Sequence, residues 1–160
     1  MSSTEKKVAV FPGSFDPFTR GHESIVNRAL ILFDEIIIAI GANARKDGFF
    51  SLGNRKKMIV DVFKGIEMVK VTHYEGLTVD FCRANNASFL LRGIRTAADF
   101  EYERAIAQLN KAMAPEIETV MLLTTPELTP VNSTIVRDII RNRGDASQFL
   151  PSSIDISNYQ

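Results

Sequence analysis

The feature that most constrains the fold of this sequence is an uninterrupted aliphatic run from Ile36 to Ile40. A strand that is apolar at every position, rather than at alternate ones, is typical of a parallel sheet covered by helices on both faces. The run is far too short to cross a bilayer, which takes about 20 apolar residues in a helix. The sequence therefore predicts a buried strand of an α/β protein.

Strand and helix patterns alternate on both sides of this run. Strands are predicted at 8–11, 36–40, 68–73, 88–91 and 117–123, and helices at 22–33, 51–64, 77–85, 98–113 and 133–142. Ser51 is expected to cap the second helix, and Gly65 and Gly144 stand where C-terminal glycines are expected. The alternating order implies right-handed crossovers and a doubly wound five-stranded parallel sheet with helices on both faces.

Size and charge leave few other classes open. The 160 residues are assigned to one domain, with a core at about 7–150 and a tail at 151–160 whose conformation the sequence does not determine. Basic and acidic residues both number 19, so neither a nucleic-acid nor a membrane surface is indicated. Cys82 is the single cysteine and is assigned to the core. With no signal-peptide pattern at the start, the cytoplasm is the expected location.

The loop from Gly13 to His22 joins the first strand to the first helix, at the edge where open parallel sheets bind ligands. Gly13 permits a sharp turn, Ser14 offers a hydroxyl and an amide, and His22 stands at a helix N-terminus that favours anions. Taken alone, a phosphate-binding loop and an ordinary loop with a capping histidine fit equally well. The loop matches neither the Walker A nor the Gly-x-Gly-x-x-Gly pattern.

Cationic residues follow two other strands. Arg92 and Arg95 flank Gly93 directly after the fourth strand, where their planar guanidinium groups suit phosphate oxygens. The pair Arg45-Lys46 after the second strand is, taken alone, more typical of solvated surface charge. Phosphate binding is therefore the better interpretation of the arginine segment only.

Two predicted helices add polar residues. Asn132, Ser133 and Thr134 place side-chain oxygens and amides at a helix start, and Arg137 one turn on is expected to point towards the same anion. Asp99 and Glu103 lie four residues apart on the fourth helix. Without other information, we interpret that acidic pair as an ordinary charged helix face.

Together these segments resemble phosphopantetheine adenylyltransferases, a family of the nucleotidyltransferase superfamily that serves bacterial coenzyme A biosynthesis. The resemblance extends from about residue 8 to residue 150, and Thr19 in the Thr-x-Gly-His signature argues against the cytidylyltransferase branch. The implied fold is Rossmann-like. The matching segments are Pro12–Pro17, Thr19–His22, Leu91–Arg95, Asp99–Glu103 and Ser133–Arg137.

The resemblance implies transfer of the adenylyl group of ATP to 4′-phosphopantetheine, by direct in-line attack without a covalent intermediate. It further implies Mg²⁺ as cofactor, no metal-ligating residue of the protein, and a homohexamer. The implied catalytic residues are His22, Lys46 and Arg92. The implied ATP-binding residues are Ser14, Phe15, His22, Gly93, Ile94, Arg95, Glu103, Leu128, Asn132, Ser133 and Thr134. The implied phosphopantetheine-binding residues are Ser14, Lys46, Leu77, Thr78, Arg92 and Asn110.

The chain departs from commoner choices of that family at four of these or neighbouring positions. Ser14 stands for threonine and keeps the hydroxyl, whereas Leu128 stands for an aromatic residue and predicts weaker base stacking. Asn132 replaces a frequent serine. Asn54 replaces a frequent glutamate, and we expect only helix capping to be affected there.

Three other functions stay open from the residues. One is a related adenylyl- or cytidylyltransferase acting on nicotinamide mononucleotide or glycerol phosphate. The second is a nucleotide-binding module without catalysis, and the third is a scaffold whose loops are merely structural. All of the enzymatic interpretations require His22, Lys46 and Arg92 to meet in one cleft.

Overall fold

A computed structural model describes residues 4–42 and 48–160 of the chain. Strands and helices alternate, as the sequence predicts. The strands are β1 (Val8–Gly13), β2 (Glu35–Gly41), β3 (Val69–Tyr74), β4 (Phe89–Ile94) and β5 (Glu118–Leu123). The helices are α1 (Arg20–Ala29), α2 (Leu52–Val62), α3 (Thr78–Ala84), α4 (Ala97–Met113) and α5 (Ser133–Arg141).

All five strands are parallel and lie in the order β3-β2-β1-β4-β5, so the predicted doubly wound sheet is confirmed. The chain winds outwards from β1 in one direction and then returns to add β4 on its other side. The ladder between β1 and β4 covers only two residue pairs, Ala9–Phe89 and Val10–Leu90. The two strands separate beyond them, which opens a cleft at the point where the strand order reverses.

The aliphatic run of β2 is buried on both faces of the sheet. Ile36, Ile38 and Ile40 pack in one buried cluster, which also includes Ile25 and Val26 of α1. Ile37 and Ala39 belong to a second cluster, which includes Val79 and Cys82 of α3. Because successive side chains of a strand point to opposite faces, the two clusters are the two sides of the sheet. No helix among residues 4–42 and 48–160 is long and apolar enough to span a membrane.

The first helix and the fourth strand have boundaries that differ from the predicted ones by up to four residues. Helix α1 begins at Arg20 because Thr19 caps it, and it ends at Ala29 rather than at residue 33. Strand β4 continues to Ile94 instead of turning after Leu91. Residues 92–94 stay in the sheet because Met121, Leu122 and Leu123 of β5 pair with them.

The C-terminal residues, which the sequence leaves open, pack against α2 and α5. Leu150, Ile154 and Tyr159 share a buried cluster with Met58 and Val136. The side-chain amide of Asn54 donates to the Tyr159 carbonyl at 2.6 Å. The Tyr159 hydroxyl donates to Asp61 at 2.6 Å. Ser51 caps α2 as predicted, and the expectation that Asn54 matters only for capping is wrong.

Gly144, after α5, has little room for a side chain, and its backbone is not left-handed. The residue with a left-handed backbone is Arg143, at φ 60°, so the expectation for Gly144 is wrong. The Gly144 N–H donates to the Ile139 carbonyl at 2.8 Å. A Cβ at Gly144 would lie 2.8 Å from Cγ2 of Ile139 and 3.2 Å from its carbonyl oxygen.

Gly144→Ala is expected to lower the free energy of unfolding by about 1–3 kcal/mol, because the added methyl group overpacks this contact. The matched control is Gly53→Ala in α2, where an added Cβ meets nothing within 4 Å. That change should stabilise the protein by about 0.5–1 kcal/mol, since alanine is the better helix former. Urea unfolding measures the free energy of unfolding of both variants. If the two substitutions stabilised the protein equally, the crowding of Gly144 against Ile139 would be contradicted.

Candidate active site

Two adjacent depressions lie at the carboxyl edge of the sheet. We call the larger one the wide cleft, with a volume of about 1430 Å³, and the smaller one the narrow cleft, with a volume of about 350 Å³. The two share the wall between β1 and β4. Their common lining residues are Pro12, Gly13, Ser14, Arg92 and Glu103.

The narrow cleft collects most residues that the resemblance assigns to ATP. They come from the β1–α1 loop, the end of β4, α4 and the start of α5, and all four segments meet at one rim. These residues are Ser14, Phe15, His22, Gly93, Arg95, Glu103, Asn132, Ser133 and Thr134. Segments that follow three of the strands, β1, β4 and β5, therefore share one site with the acidic helix α4.

The wide cleft collects four of the residues that the resemblance assigns to phosphopantetheine, namely Ser14, Thr78, Arg92 and Asn110. Lys46 lies outside the described residues, and so does Arg45. His22 and Arg92 meet in the narrow cleft.

Three predicted site residues do not line either cleft. Ile94 is buried in the sheet, which follows from its place in the ladder between β4 and β5. Leu77 is the N-terminal flanking residue of α3 and is 55% exposed. Leu128 belongs to the short 3₁₀ turn Pro126–Leu128 that precedes α5. The contacts of these three residues with a ligand stay predictions.

The ring of His22 is fixed by the turn that begins α1. The backbone N–H of Thr19 donates to Nδ1 of His22 at 3.0 Å, and His22 N–H donates back to the Thr19 hydroxyl at 3.4 Å. Because Nδ1 is an acceptor, the neutral ring carries its proton on Nε2. The rings of Phe11, Phe15 and Phe18 surround it, with centroids 5.0–6.2 Å away. His22 therefore presents a single N–H donor to the narrow cleft.

The pKa of His22 is lowered from 6.5 to about 4, mainly by burial and to a smaller extent by the positive charges of Arg92 and Arg95. The imidazole is thus neutral at physiological pH in the ligand-free protein. It is suited to donate a hydrogen bond and unsuited to deliver a proton.

The midpoint of the His22 NMR titration is expected near pH 4 in the ligand-free protein. Since the folded-state pKa lies below the unfolded value, the unfolded chain binds the proton more readily between these values. The contribution of His22 to stability is therefore complete above pH 6.5 and is lost as the pH falls towards 4. The spectrum of His22→Gln assigns the resonance, and a midpoint at or above 6.5 would contradict the buried neutral ring.

Arg92 is held by a carboxylate that comes from α4. Its Nε donates to Glu103 Oε2 at 2.7 Å, and its Nη2 donates to Glu103 Oε1. Its Nη1 donates to the Pro12 carbonyl at 2.6 Å. Three of the five guanidinium N–H groups are thereby used, and two are left for a ligand. Glu103 is 8% exposed, so its interpretation as part of an ordinary charged helix face is wrong.

Two further arginines beside the clefts, Arg95 and Arg137, are also held by the protein. Nε and the backbone N–H of Arg95 donate to Asp99 at 3.1 and 3.0 Å, which keeps Arg95 at the rim of the narrow cleft. Arg137 donates to the Asp16 carbonyl at 2.8 Å. Its guanidinium supports the β1–α1 loop, and Arg137 also lines the wide cleft; its contact with a phosphate stays a prediction.

The residues of the wide cleft that sequence reasoning missed include Asp16, Arg55 and Tyr74. Arg55 carried a signal, because it stands three and four residues before Met58 and Ile59 and so falls on the buried face of α2. A cation on an apolar helix face indicates a specific polar partner. Tyr74 gave no such signal, and its hydroxyl shares a 2.8 Å hydrogen bond with Thr78.

Three carboxylates beside the clefts are engaged by protein donors. Glu103 pairs with Arg92, Asp99 pairs with Arg95, and Asp16 accepts from two backbone N–H groups. Within residues 4–42 and 48–160, no cluster of three or more histidines, cysteines or acids could hold a metal ion.

A doubly wound parallel sheet, with a neutral histidine at a helix N-terminus and arginines at the switch point, defines a nucleotidyltransferase of the Rossmann-like fold. A cytidylyltransferase-like family model matches residues 10–139. The phosphopantetheine adenylyltransferase of Flavobacterium psychrophilum is 51% identical over 148 residues, which are 92% of this chain and 97% of that protein. The one from Bacteroides thetaiotaomicron is 50% identical over 93% and 98% of the two chains. The chain belongs to the phosphopantetheine adenylyltransferase family.

Solved structures support the fold alone. A nicotinic acid mononucleotide adenylyltransferase of Plasmodium falciparum, complexed with NaAD, has a TM-score of 0.66 at 15% identity over 98% of this chain and 99% of that one. A bifunctional NMN adenylyltransferase/ADP ribose pyrophosphatase of Francisella tularensis has a TM-score of 0.68 at 22% identity over 94% of this chain. The chain spans 46% of the length of that second protein.

Proposed function

We propose that this protein transfers the adenylyl group of ATP to 4′-phosphopantetheine and releases dephospho-coenzyme A and pyrophosphate. The observation that carries the proposal is the shared wall between two adjacent clefts, formed by the β1 turn, Arg92 and Glu103. A transferase for two phosphorylated substrates needs two sites that meet at the reacting phosphates. Relatives about 50% identical to this chain are named phosphopantetheine adenylyltransferases, which supports this choice of substrates.

ATP occupies the narrow cleft in this proposal. Two helix N-termini, those of α1 and α5, border it and favour the negative charge of phosphates. Gly93, where a Cβ would lie 3.1 Å from Ile25, keeps the wall of β4 thin beside the ligand. Phosphopantetheine occupies the wide cleft, where Thr78 and Asn110 supply polar contacts along its length.

The reaction needs no general base from the protein. The second pKa of a phosphate monoester is about 6, so the 4′-phosphate is already an anion at neutral pH. One of its oxygens attacks the α-phosphorus of ATP, and the bond from that phosphorus to the pyrophosphate oxygen breaks. Catalysis then rests on positioning and charge stabilisation. Nε2–H of His22 stabilises the charge on the α-phosphate, and Arg92, with Lys46 as the proposed second cation, holds the attacking phosphate.

Mg²⁺ is proposed as the cofactor. The phosphates of ATP would hold most of the ion's coordination, because Glu103, Asp99 and Asp16 already have protein partners. The ion supplies charge neutralisation of the nucleotide. The residues of the chain therefore bind the nucleotide and its cation together, and turnover should require added Mg²⁺.

A homohexamer is proposed as the assembly, and the cytoplasm as the location. Helix α4 supports self-association, because Tyr102, Leu109 and Met113 share one face of it and are 68, 66 and 48% exposed. Tyr102 also lines the wide cleft, so this face borders the proposed phosphopantetheine site. Light scattering coupled to size-exclusion chromatography would measure the assembly mass.

Pyrophosphate release tests the function. The expected result is release with ATP, Mg²⁺ and 4′-phosphopantetheine, and much less with CTP or with nicotinamide mononucleotide or glycerol phosphate as acceptor. Calorimetry with ATP distinguishes the two remaining alternatives, since a binding module would bind ATP and a scaffold would not. Tight ATP binding without turnover on any acceptor would indicate a binding module and would reject the proposal.

A further inference from the structure

Arg55 is a buried cation with no role in the chemistry proposed so far. It lies on the apolar face of α2 and is 7% exposed, beside the fully buried Met58 and Ile59. Burying a guanidinium costs free energy unless it is hydrogen-bonded or paired. Arg55 lines the wide cleft, and its polar contacts there must offset the cost of burying its charge.

The guanidinium of Arg55 bridges two separate loops. Nη1 donates to the carbonyl of Ser14 at 2.8 Å, and Nε donates to the carbonyl of Phe50 at 3.1 Å. Ser14 belongs to the turn after β1, whereas Phe50 lies just before α2. The planar fork reaches both carbonyls at once in a fixed geometry, which a lysine ammonium cannot reproduce.

Asp16 makes the reciprocal contacts. Its two carboxylate oxygens accept the backbone N–H groups of Phe49 and Phe50 at 2.7 and 2.8 Å. Gly48 lies between the two charged groups, since a Cβ there would be 3.0 Å from Asp16 Oδ2 and 3.2 Å from Arg55 Nη2. The β1 turn and residues 48–50 are thus locked to each other by one buried unit.

This lock sets the direction of one peptide group. A trans peptide holds its C=O and N–H antiparallel, so fixing the Ser14 carbonyl towards Arg55 aims the Phe15 N–H to the opposite side. Phe15 lines the narrow cleft and has a left-handed backbone at φ 47°. A buried aromatic residue keeps that conformation only where its surroundings impose it. Among the described residues, Phe15 N–H has no hydrogen-bond partner.

We propose that Arg55 is a positioning residue of the nucleotide site, which holds the Ser14–Phe15 peptide so that the Phe15 N–H donates to a phosphate of the bound nucleotide. The inference rests on the proposed binding of ATP in the narrow cleft. Arg55 touches no reacting atom and acts through the backbone. Asp16 has the matching task of holding residues 49 and 50 against the same turn.

Arg55→Lys tests the proposal, because it keeps the charge and loses the fork. Its matched control is Arg83→Lys, since Arg83 is exposed, pairs with Glu116, and lies outside both clefts. We expect Arg55→Lys to lower kcat/KM for ATP by about ten- to hundredfold, the scale of one hydrogen bond to a charged group. The KM for phosphopantetheine should change much less, and Arg83→Lys should match the wild type. Equal values of kcat/KM for ATP in the two variants would overturn the proposal.

A measurement on the wild-type protein keeps the proposal testable if Arg55→Lys does not fold. In spectra of protein labelled with ¹⁵N-phenylalanine, a non-hydrolysable ATP analogue should shift the Phe15 amide proton downfield. In a folded Arg55→Lys protein the shift should be smaller, and an unchanged Phe15 amide in the wild type would overturn the proposal. Neither observation needs turnover. A wild-type protein that binds the analogue and releases no pyrophosphate would therefore reject the proposed function without deciding the role of Arg55.

Discussion

His22→Ala is expected to lower kcat by roughly two to three powers of ten, the scale of removing one preorganised donor from a charge-stabilising site. ATP affinity should change much less, because the arginines and the two helix N-termini still bind its phosphates. The Thr19 N–H holds the neutral ring before substrate arrives, so no reorganisation is needed when charge develops. Steady-state pyrophosphate release at saturating substrates measures the effect.

Two further variants separate the donor role of His22 from its capping role. Glutamine at this third position of α1 can accept from the Thr19 N–H and still offer an N–H to the cleft, whereas glutamate can only accept. Turnover should therefore recover in part in His22→Gln and not in His22→Glu, while both keep the helix capped. Wild-type turnover in His22→Ala would refute the assignment.

Arg92→Met is expected to abolish measurable turnover and to lower the melting temperature by roughly 10 °C. Removing one partner leaves Glu103 buried without its cation, at a cost of about 3 kcal/mol, the low end for buried pairs because Arg92 is 29% exposed. In a protein of this size, about 1 kcal/mol corresponds to a shift of 2–4 °C. Differential scanning calorimetry and the pyrophosphate assay measure the two effects.

The double variant Arg92→Met/Glu103→Leu separates the effect of Arg92 on stability from its effect on turnover. It removes both charges of the pair, so most of the lost stability should return. Turnover should not return, because the two free N–H groups of Arg92 are still missing from the wall between the clefts. Recovery of turnover together with stability would mean that Arg92 only supports the fold.

The parts of the molecule that were predictable from the sequence depend on local patterns. The run Ile36–Ile40 indicated a strand buried on both faces, and the carboxyl ends of parallel strands meet at one edge whatever the rest of the chain does. The convergence of His22 and Arg92 followed from that rule. The substrates came from the resemblance and not from the pattern of residues.

The parts that were not predictable depend on contacts between distant residues. Glu103 looks like any exposed acid on α4 until the fold brings it to Arg92, and Asn54 meets Tyr159 only across 105 positions of the chain. Short-range patterns carry no information about such partners. Arg143 shows a different limit, because it lies just after the end of α5 and takes the left-handed backbone of that turn, a position where glycine is the usual residue.

The strand order has a consequence for how the protein must fold. Its central strand, β1, pairs with β2 some 27 residues later, for example Val8 with Glu35, but with β4 only about 80 residues later, as in Ala9 with Phe89. Pairings between such remote segments form slowly, because a long loop must close before any contact rewards it. Until residue 90 has been made, the nascent chain can form only the β3-β2-β1 half of the sheet, and β1 is left with an unpaired edge. Nucleotide should therefore protect only the fully assembled protein from proteases.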